Sequence, residues 1–279
     1  MVIAVVLVLV VVGSVLFHLF SPWWWTPIAS NWGYIDATII ATFWITGAAF
    51  AAVVLFIAYC VYRFRHVEGR KAIFDPENRR LELWLTVVTG VGVAALLAPG
   101  LVVWKQFVTV PDDATEVEVF AQQWSWNFRL PGADGRLGSS AAARISAENP
   151  LGLNPNDRFA PDDVIMQGTE LFLPVGKPVK MVLRSVDVLH NFYVPEFRAK
   201  MDMVPGMVTY YWFTPTRTGE FEVLCAELCG VGHAFMRGGV RVVTQAEYDA
   251  WLLEQQTYAD FAAAAAAAAS ARVALGNAP

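Results

Sequence analysis

Three long stretches without charge lie before residue 105. Met1 to Phe20 is built almost wholly of Val, Ile and Leu, and neither Ala37–Tyr62 nor Leu83–Trp104 contains a charged residue. Each reaches the roughly 20 residues that a helix needs to cross the hydrocarbon core of a bilayer. The chain is therefore expected to sit in a lipid bilayer through helices at about 1–20, 37–62 and 83–104. The first stretch also has the length of a secretory signal. It lacks a basic leading region, and no Ala-x-Ala-like site precedes the bulky Ser21-Pro22-Trp23-Trp24-Trp25, so a retained helix is expected.

Loop charge orients these helices. Residues 63–80 hold six basic side chains (Arg63, Arg65, Arg70, Lys71, Arg79, Arg80), whereas 21–36 hold none. Cytoplasmic loops collect Lys and Arg, which places 63–80 inside and everything after Trp104 outside. Trp23, Trp24, Trp25 and Trp32 would then form an aromatic belt at the outer interface. Cys60, within the second stretch, reads as a small buried hydrophobe.

From residue 105 the composition changes. This part has 14 basic and 20 acidic residues, a net −6, against 6 and 5, a net +1, before it, so the chain's negative charge resides here. An acidic balance argues against a nucleic-acid binder and suits a basic protein partner. Alternating apolar residues mark strands at Thr115–Val119, Glu170–Leu173, Val179–Leu183, His190–Val194, Val208–Phe213, Phe221–Val223 and Val240–Val243. Pro-Val-Gly, Pro-Gly, Thr-Gly and Gly-Gly turns separate them. Many short strands punctuated this way predict an all-β sandwich or barrel. Pro131 to Pro161 reads as a long surface loop and Gln245–Gln256 as a short helix. The resulting division is a helical anchor at 1–104, a β domain at 105–256 and an Ala-rich tail at 257–279.

The chemistry is concentrated in Cys225-Ala226-Glu227-Leu228-Cys229-Gly230-Val231-Gly232-His233-Ala234-Phe235-Met236, with His190 upstream. Two thiols, an imidazole and a thioether so close together form a soft donor set, which selects copper electron-transfer sites with a weak axial Met. A mononuclear blue site needs one Cys; a second, four residues on, lets both sulfurs bridge two copper ions with one His on each. Other readings stand beside this one. Cys225 and Cys229 outside the cell are also compatible with a disulfide, His190 with a core histidine among Leu189 and Phe192, and Met236 with core filler. It is the combination that favours metal.

The segment resembles the CuA motif of cytochrome c oxidase subunit II, C-x-E-x-C-G-x-x-H-x-x-M, at every fixed position. Asp187-Val188-Leu189-His190-Asn191-Phe192-Tyr193-Val194-Pro195, Gln123-Trp124-Ser125-Trp126 and Lys200-Met201-Asp202-Met203-Val204-Pro205-Gly206 are similar to further motifs of that family. The likeness runs from about Asp36 to Trp251. It implies transmembrane helices followed by a cupredoxin-like Greek-key β domain. It also implies a binuclear copper centre bridged by Cys225 and Cys229, capped by His190 and His233, with Met236 weakly axial. Glu227 would lend its carbonyl to copper and turn its carboxylate toward a magnesium or manganese ion at subunit I. Trp124 would be the surface relay for the electron. Glu82, opening the third helix, is similar to a family position that helps protons enter subunit I; it also suits a helix N-terminus paired with Arg79 and Arg80. The chain departs from the family in having three apolar stretches where most members have two. Met207 stands where Arg is usual, and Gly232 where Asn is common before the histidine.

The expected function is that of subunit II in a haem–copper oxidase of a bacterial-type plasma membrane, with the β domain on the periplasmic side. It would take electrons from a basic cytochrome c and pass them to haem in subunit I, alongside other oxidase subunits, for oxygen reduction and proton pumping. Two alternatives remain at this level: a CuA-bearing subunit of a nitric oxide reductase, and a membrane-anchored copper carrier or assembly factor. Asp134, Asp157, Asp162 and Asp163 are candidate acids for attracting the cytochrome.

Overall fold

The computed structural model describes residues 1–21, 26–71, 76–146, 149–168 and 170–276. The expected belt residues Trp23, Trp24 and Trp25 lie outside the described residues. The chain divides into two compact units, residues 1–26 with 33–105 and residues 27–32 with 106–279.

The first unit contains α1 (Val2–Phe20), α2 (Gly33–Arg63) and most of α3 (Arg79–Val108). Among the described residues these are the three helices long and apolar enough to span a bilayer, with mean hydropathies of 3.0, 2.2 and 2.1. Their apolar side chains point outward: Leu9, Phe56, Leu83 and Val91 are all largely exposed. Such surfaces are stable only when hydrocarbon surrounds them. α3 begins earlier than the apolar run itself, because the Asn78 side chain accepts the Leu81 N–H at 3.1 Å and caps the first turn. α1 packs on α2, with the His18 ring 5.7 Å from Phe43 and 6.0 Å from Trp44.

The second unit is a sandwich of two five-stranded sheets. One has the order β3 (Val164–Gln167), β2 (Ser125–Leu130), β1 (Thr115–Gln122), β5 (Val179–Ser185), β8 (Thr209–Phe213). The other has the order β4 (Glu170–Pro174), β10 (Arg237–Val243), β9 (Gly219–Cys225), β6 (His190–Val194), β7 (Ala199–Met203). β1 with β5 and β10 with β4 are parallel pairs; the other pairs are antiparallel. This is the cupredoxin-like all-β arrangement that the sequence implies. The core lies between the sheets: Val117, Val119, Leu171, Met181, Leu183, Phe192, Val223 and Val240 are all buried. β2, β3 and β7 are additional to the strands read from the sequence.

After β10, α4 (Gln245–Leu253) is shorter than the expected Gln245–Gln256. It starts on a reciprocal cap in which Glu247 N–H donates to the Thr244 hydroxyl and the Glu247 carboxylate accepts the Thr244 N–H. α5 (Tyr258–Gly276) carries the alanine run. Its first residue is not a loose tail: Tyr258 is buried against Phe120, Leu151, Leu153 and Ala160.

Three expectations change. Trp32 is not an interface residue. Residues 27–32 form a strap on the β domain, in which Ala29 N–H donates to the Glu196 carbonyl, Ser30 bonds the Phe197 carbonyl and Trp32 Nε1–H donates to the Trp212 carbonyl at 2.9 Å. Trp32 is thereby 1% exposed. Residues 131–161 are not simply a surface loop. They cover the outer face of the first sheet, where alternate β1 residues would otherwise meet water, and bury Leu151, Leu153 and Ala160 over Phe120. Asp163 is no docking acid: it is 0% exposed and ion-paired to Arg129 at 2.7 Å. Asp134, Asp157 and Asp162 stay unburied and accept backbone N–H bonds within this covering segment, from Arg136, from Ser139 and Phe159, and from Asp134 respectively.

Candidate metal centre

Pairing of β6 with β9 sets Phe192 opposite Cys225 and brings His190, the first residue of β6, to the end of β9. β9 and β10 form a hairpin whose last pair is Leu224 with Arg237, so residues 225–236 are its connection. The Cys225 N–H donates to the Met236 carbonyl at 3.2 Å, closing the neck of this loop. Within it, the His233 N–H bonds the Gly230 carbonyl and a turn of 3₁₀ helix over His233–Phe235 returns the chain. The twelve-residue motif is thus one loop folded back on itself.

Its donor atoms converge. Cys225 Sγ lies 3.7 Å from Cys229 Sγ, 3.9 Å from His190 Nδ1 and 3.2 Å from the Glu227 carbonyl oxygen. Cys229 Sγ lies 3.6 Å from His233 Nδ1 and 3.8 Å from Met236 Sδ. Each sulfur has one imidazole nitrogen, and the sulfurs adjoin. His190, Cys225 and Cys229 offer donors within 4.8 Å of one another. Both cysteines are free thiols, so the disulfide reading does not describe this state. His190, Cys229 and Met236 are buried, whereas Leu228, Val231 and Phe235 on the same loop are exposed. Two thiols, two imidazoles, a thioether and a carbonyl make a soft donor set that fits copper.

Electrostatics prepare the ligands. Burial pushes the Cys225 thiol up, but the His190 imidazole and nearby backbone N–H groups outweigh it and bring it down to about 6. Burial and the adjacent Cys225 push Cys229 up to about 11. Burial pulls the His190 imidazole down, yet Cys225 and Asp187 leave it above its ordinary value.

Asp187, whose role the sequence motif does not announce, is the support behind the ligands. One carboxylate oxygen meets His190 Nε2 at 2.9 Å, leaving Nδ1 to face the sulfur, and the other accepts the Gln123 N–H at 2.6 Å. A carboxylate behind an imidazole fixes its tautomer and orientation. Its placement three residues before the histidine was the available signal. Gln123 in turn carries Trp124 to the loop: Gln123 Nε2 and Trp124 Nε1 both donate to the Cys229 carbonyl, at 2.9 and 3.2 Å. Trp124 remains 40% exposed, so one indole edge touches a ligand residue while the ring also reaches solvent. Glu227 is half-buried beside the cluster. Glu82 lies in the first turn of α3, in the other unit, and is exposed.

The family described as cytochrome c oxidase subunit II, periplasmic domain, matches residues 116–243. The chain is 67% identical over 259 residues to the alternative cytochrome c oxidase subunit 2 of Bradyrhizobium diazoefficiens, covering 93% of this chain and 94% of that protein. It is 31% identical over 235 residues to cytochrome c oxidase subunit 2 of Cereibacter sphaeroides, covering 81% and 77%. Among solved structures, it is similar to the periplasmic domain of subunit II of cytochrome oxidase of Bradyrhizobium japonicum at 29% identity, over 52% of this chain and 94% of that one, with a TM-score of 0.38. With near-complete coverage at two-thirds identity, the chain belongs to the cytochrome c oxidase subunit 2 family.

Proposed function

We propose that this chain is the electron-accepting subunit of a haem–copper oxidase, taking single electrons from a basic cytochrome c and delivering them to haem in subunit I. The observation that carries this reading is the pair of adjoining thiols, each with its own imidazole nitrogen. A copper pair held there supplies a one-electron store shared over two nuclei. Cys225 and Cys229, as thiolates, with His190, His233, Met236 and the Glu227 carbonyl would hold it. Asp187 holds His190 in its ligating tautomer. Trp124 receives the electron that the donor's ferrous haem gives up on becoming ferric. The Glu227 carboxylate faces subunit I, where it helps to hold a magnesium or manganese ion, and Glu82 assists proton uptake into that subunit.

The six basic residues of 63–80 support a cytoplasmic placement for that connection and a periplasmic one for the β domain, in a plasma membrane. The names of the relatives favour oxygen over nitric oxide as the final acceptor. The test is copper loading of the full chain in detergent. Two coppers per chain with a mixed-valence EPR signal from one electron shared over two nuclei is the expected result, and Cys225→Ser or Cys229→Ser abolishes it. A single-copper blue spectrum, or no uptake, overturns the reading.

A further inference from the structure

We infer that Gly232 is the positioning residue for Trp124: because it has no side chain, the indole can lie against the ligand loop with its Nε1–H on the Cys229 carbonyl. The inference deepens the proposed role of Trp124 and rests on it.

The backbone does not ask for glycine at this position. Gly232 has φ −88° and ψ 4°, the conformation of the third residue of a type I turn, which most residues other than glycine also adopt. The space does ask for it. A Cβ there would stand 2.4 Å from Trp124 Cδ2, 2.7 Å from Cγ and 2.8 Å from Cε3. These atoms belong to the root and fused edge of a rigid ring, so relief requires the whole indole to move. Gly230 differs: its φ of +119° needs glycine on backbone grounds, and a Cβ there would meet Gln123 Nε2 at 3.0 Å and Trp124 Cζ2 at 3.1 Å. Between them the two glycines contact atoms across both rings of the indole. They form a bare backbone surface that continues directly into Cys229 and His233, both proposed ligands.

The seat is tied to the rest of the centre. Trp124 Nε1 shares the Cys229 carbonyl with Gln123 Nε2, and the Gln123 N–H is held by the carboxylate that also holds His190. From the exposed indole to the Cys229 sulfur the route is one hydrogen bond and the bonds of a single residue. Lifting the ring off Gly232 would lengthen that route without touching a ligand.

Gly232→Ala is the direct test, since alanine suits this backbone and leaves every donor in place. The full chain, labelled with 5-fluorotryptophan and held in detergent without copper, gives a ¹⁹F resonance for Trp124 that Trp124→Phe identifies by its loss. Gly232→Ala is expected to shift that resonance alone and to raise its quenching by iodide. After copper loading the visible spectrum stays that of the parent. Electron uptake from reduced cytochrome c slows several-fold, because the lifted indole lengthens the tunnelling route to the Cys229 sulfur. In a Trp124→Leu background the added Gly232→Ala has no further effect on uptake, because the two residues act through one contact. A Trp124 resonance that stays put, or a changed copper spectrum, means that the loop yields rather than the ring, and overturns the inference. A shifted resonance with parental uptake upholds the seat and instead overturns Trp124 as the electron's receiver.

Discussion

The β domain buries two polar clusters, built on opposite principles. In one, Glu118 of β1 faces its register partner Arg129 of β2, and Arg129 reaches on to Asp163 and the Gly138 carbonyl. Arg184 closes on Glu118 from β5, and Asp163 also accepts the Gly138 N–H. Hard charges are matched by opposite charges over short, directional bonds. In the other, His190, Cys225, Cys229, His233 and Met236 face one another at 3.6–3.9 Å, through sulfur atoms that are poor hydrogen-bond partners. The first cluster is electrically complete within the chain and ties the covering segment 131–161 to the sheet. The second collects donors of like character, which makes it weak glue and a good ligand shell. Burial of polar side chains alone would not separate the two; the pairing of their atoms does.

Removing the charge that holds the first cluster should give the largest effect. Arg129→Leu leaves the buried Asp163 without its cation and Glu118 with Arg184 alone, and is expected to cost about 3–5 kcal/mol of stability, read as a lower urea midpoint for the β domain. The copper spectrum of the molecules that remain folded should not change. An unaltered midpoint would mean that the ion cluster is incidental to stability and that the contrast drawn above is false.

The next effect belongs to the second cluster. Asp187→Asn keeps the size of the side chain but weakens its hold on His190 Nε2. Copper affinity should fall by roughly 10–100-fold, measured by competition with a chelator, while the urea midpoint of the copper-free chain moves little. A large stability loss with unchanged affinity would exchange the roles of the two clusters.

Acid should separate them more gently. A proton on Cys225, whose thiol titrates at about 6, competes with metal, as does one on His190, held above its ordinary value. Copper binding should therefore weaken as pH falls through about 6, and because Cys229, held up at about 11, must also lose its proton to ligate, it goes on strengthening above that. Asp163 responds with the opposite sign. Burial raises its carboxyl from 3.8 to about 6, so the folded chain binds this proton more readily than the unfolded one. Its contribution to stability is full below about 4 and is lost as pH rises through about 6. Between pH 7 and 5 copper affinity should drop while the copper-free midpoint holds or rises. A parallel decline of both would break the distinction.

The two clusters were also unequally legible in the sequence. Five of the six proposed metal-site residues lie in 225–236 because one hairpin connection carries them, so the cluster of donor types marked the centre and the family motif added Glu227. Glu118, Arg129, Asp163 and Arg184 come from four separate places, and each reads locally as an exposed charge; Asp163 accordingly looked like a docking acid. β5 was plain from its alternation of buried and half-buried residues. β2 carries the same signal in Trp126, Phe128 and Leu130, interrupted by Arg129, whose burial makes sense only beside Glu118. β3 is four residues long and β7 mixes Lys and Asp with Met, so neither stands out before its partners are known. Trp32 misled because an indole near an apolar stretch usually means a lipid interface, and only the strap's hydrogen bonds place it in the β domain.

The meeting of β6 with β9 has a consequence for biogenesis. A newly made chain carries Cys225, Cys229, His233 and Met236 as a ready segment, whereas His190 arrives only when Phe192 pairs opposite Cys225. That pairing belongs to a sandwich with parallel partners far apart in sequence, a topology that closes late. A copper ion offered before that pairing would therefore meet the loop's donors without His190, so the complete donor set exists only on the finished tertiary surface.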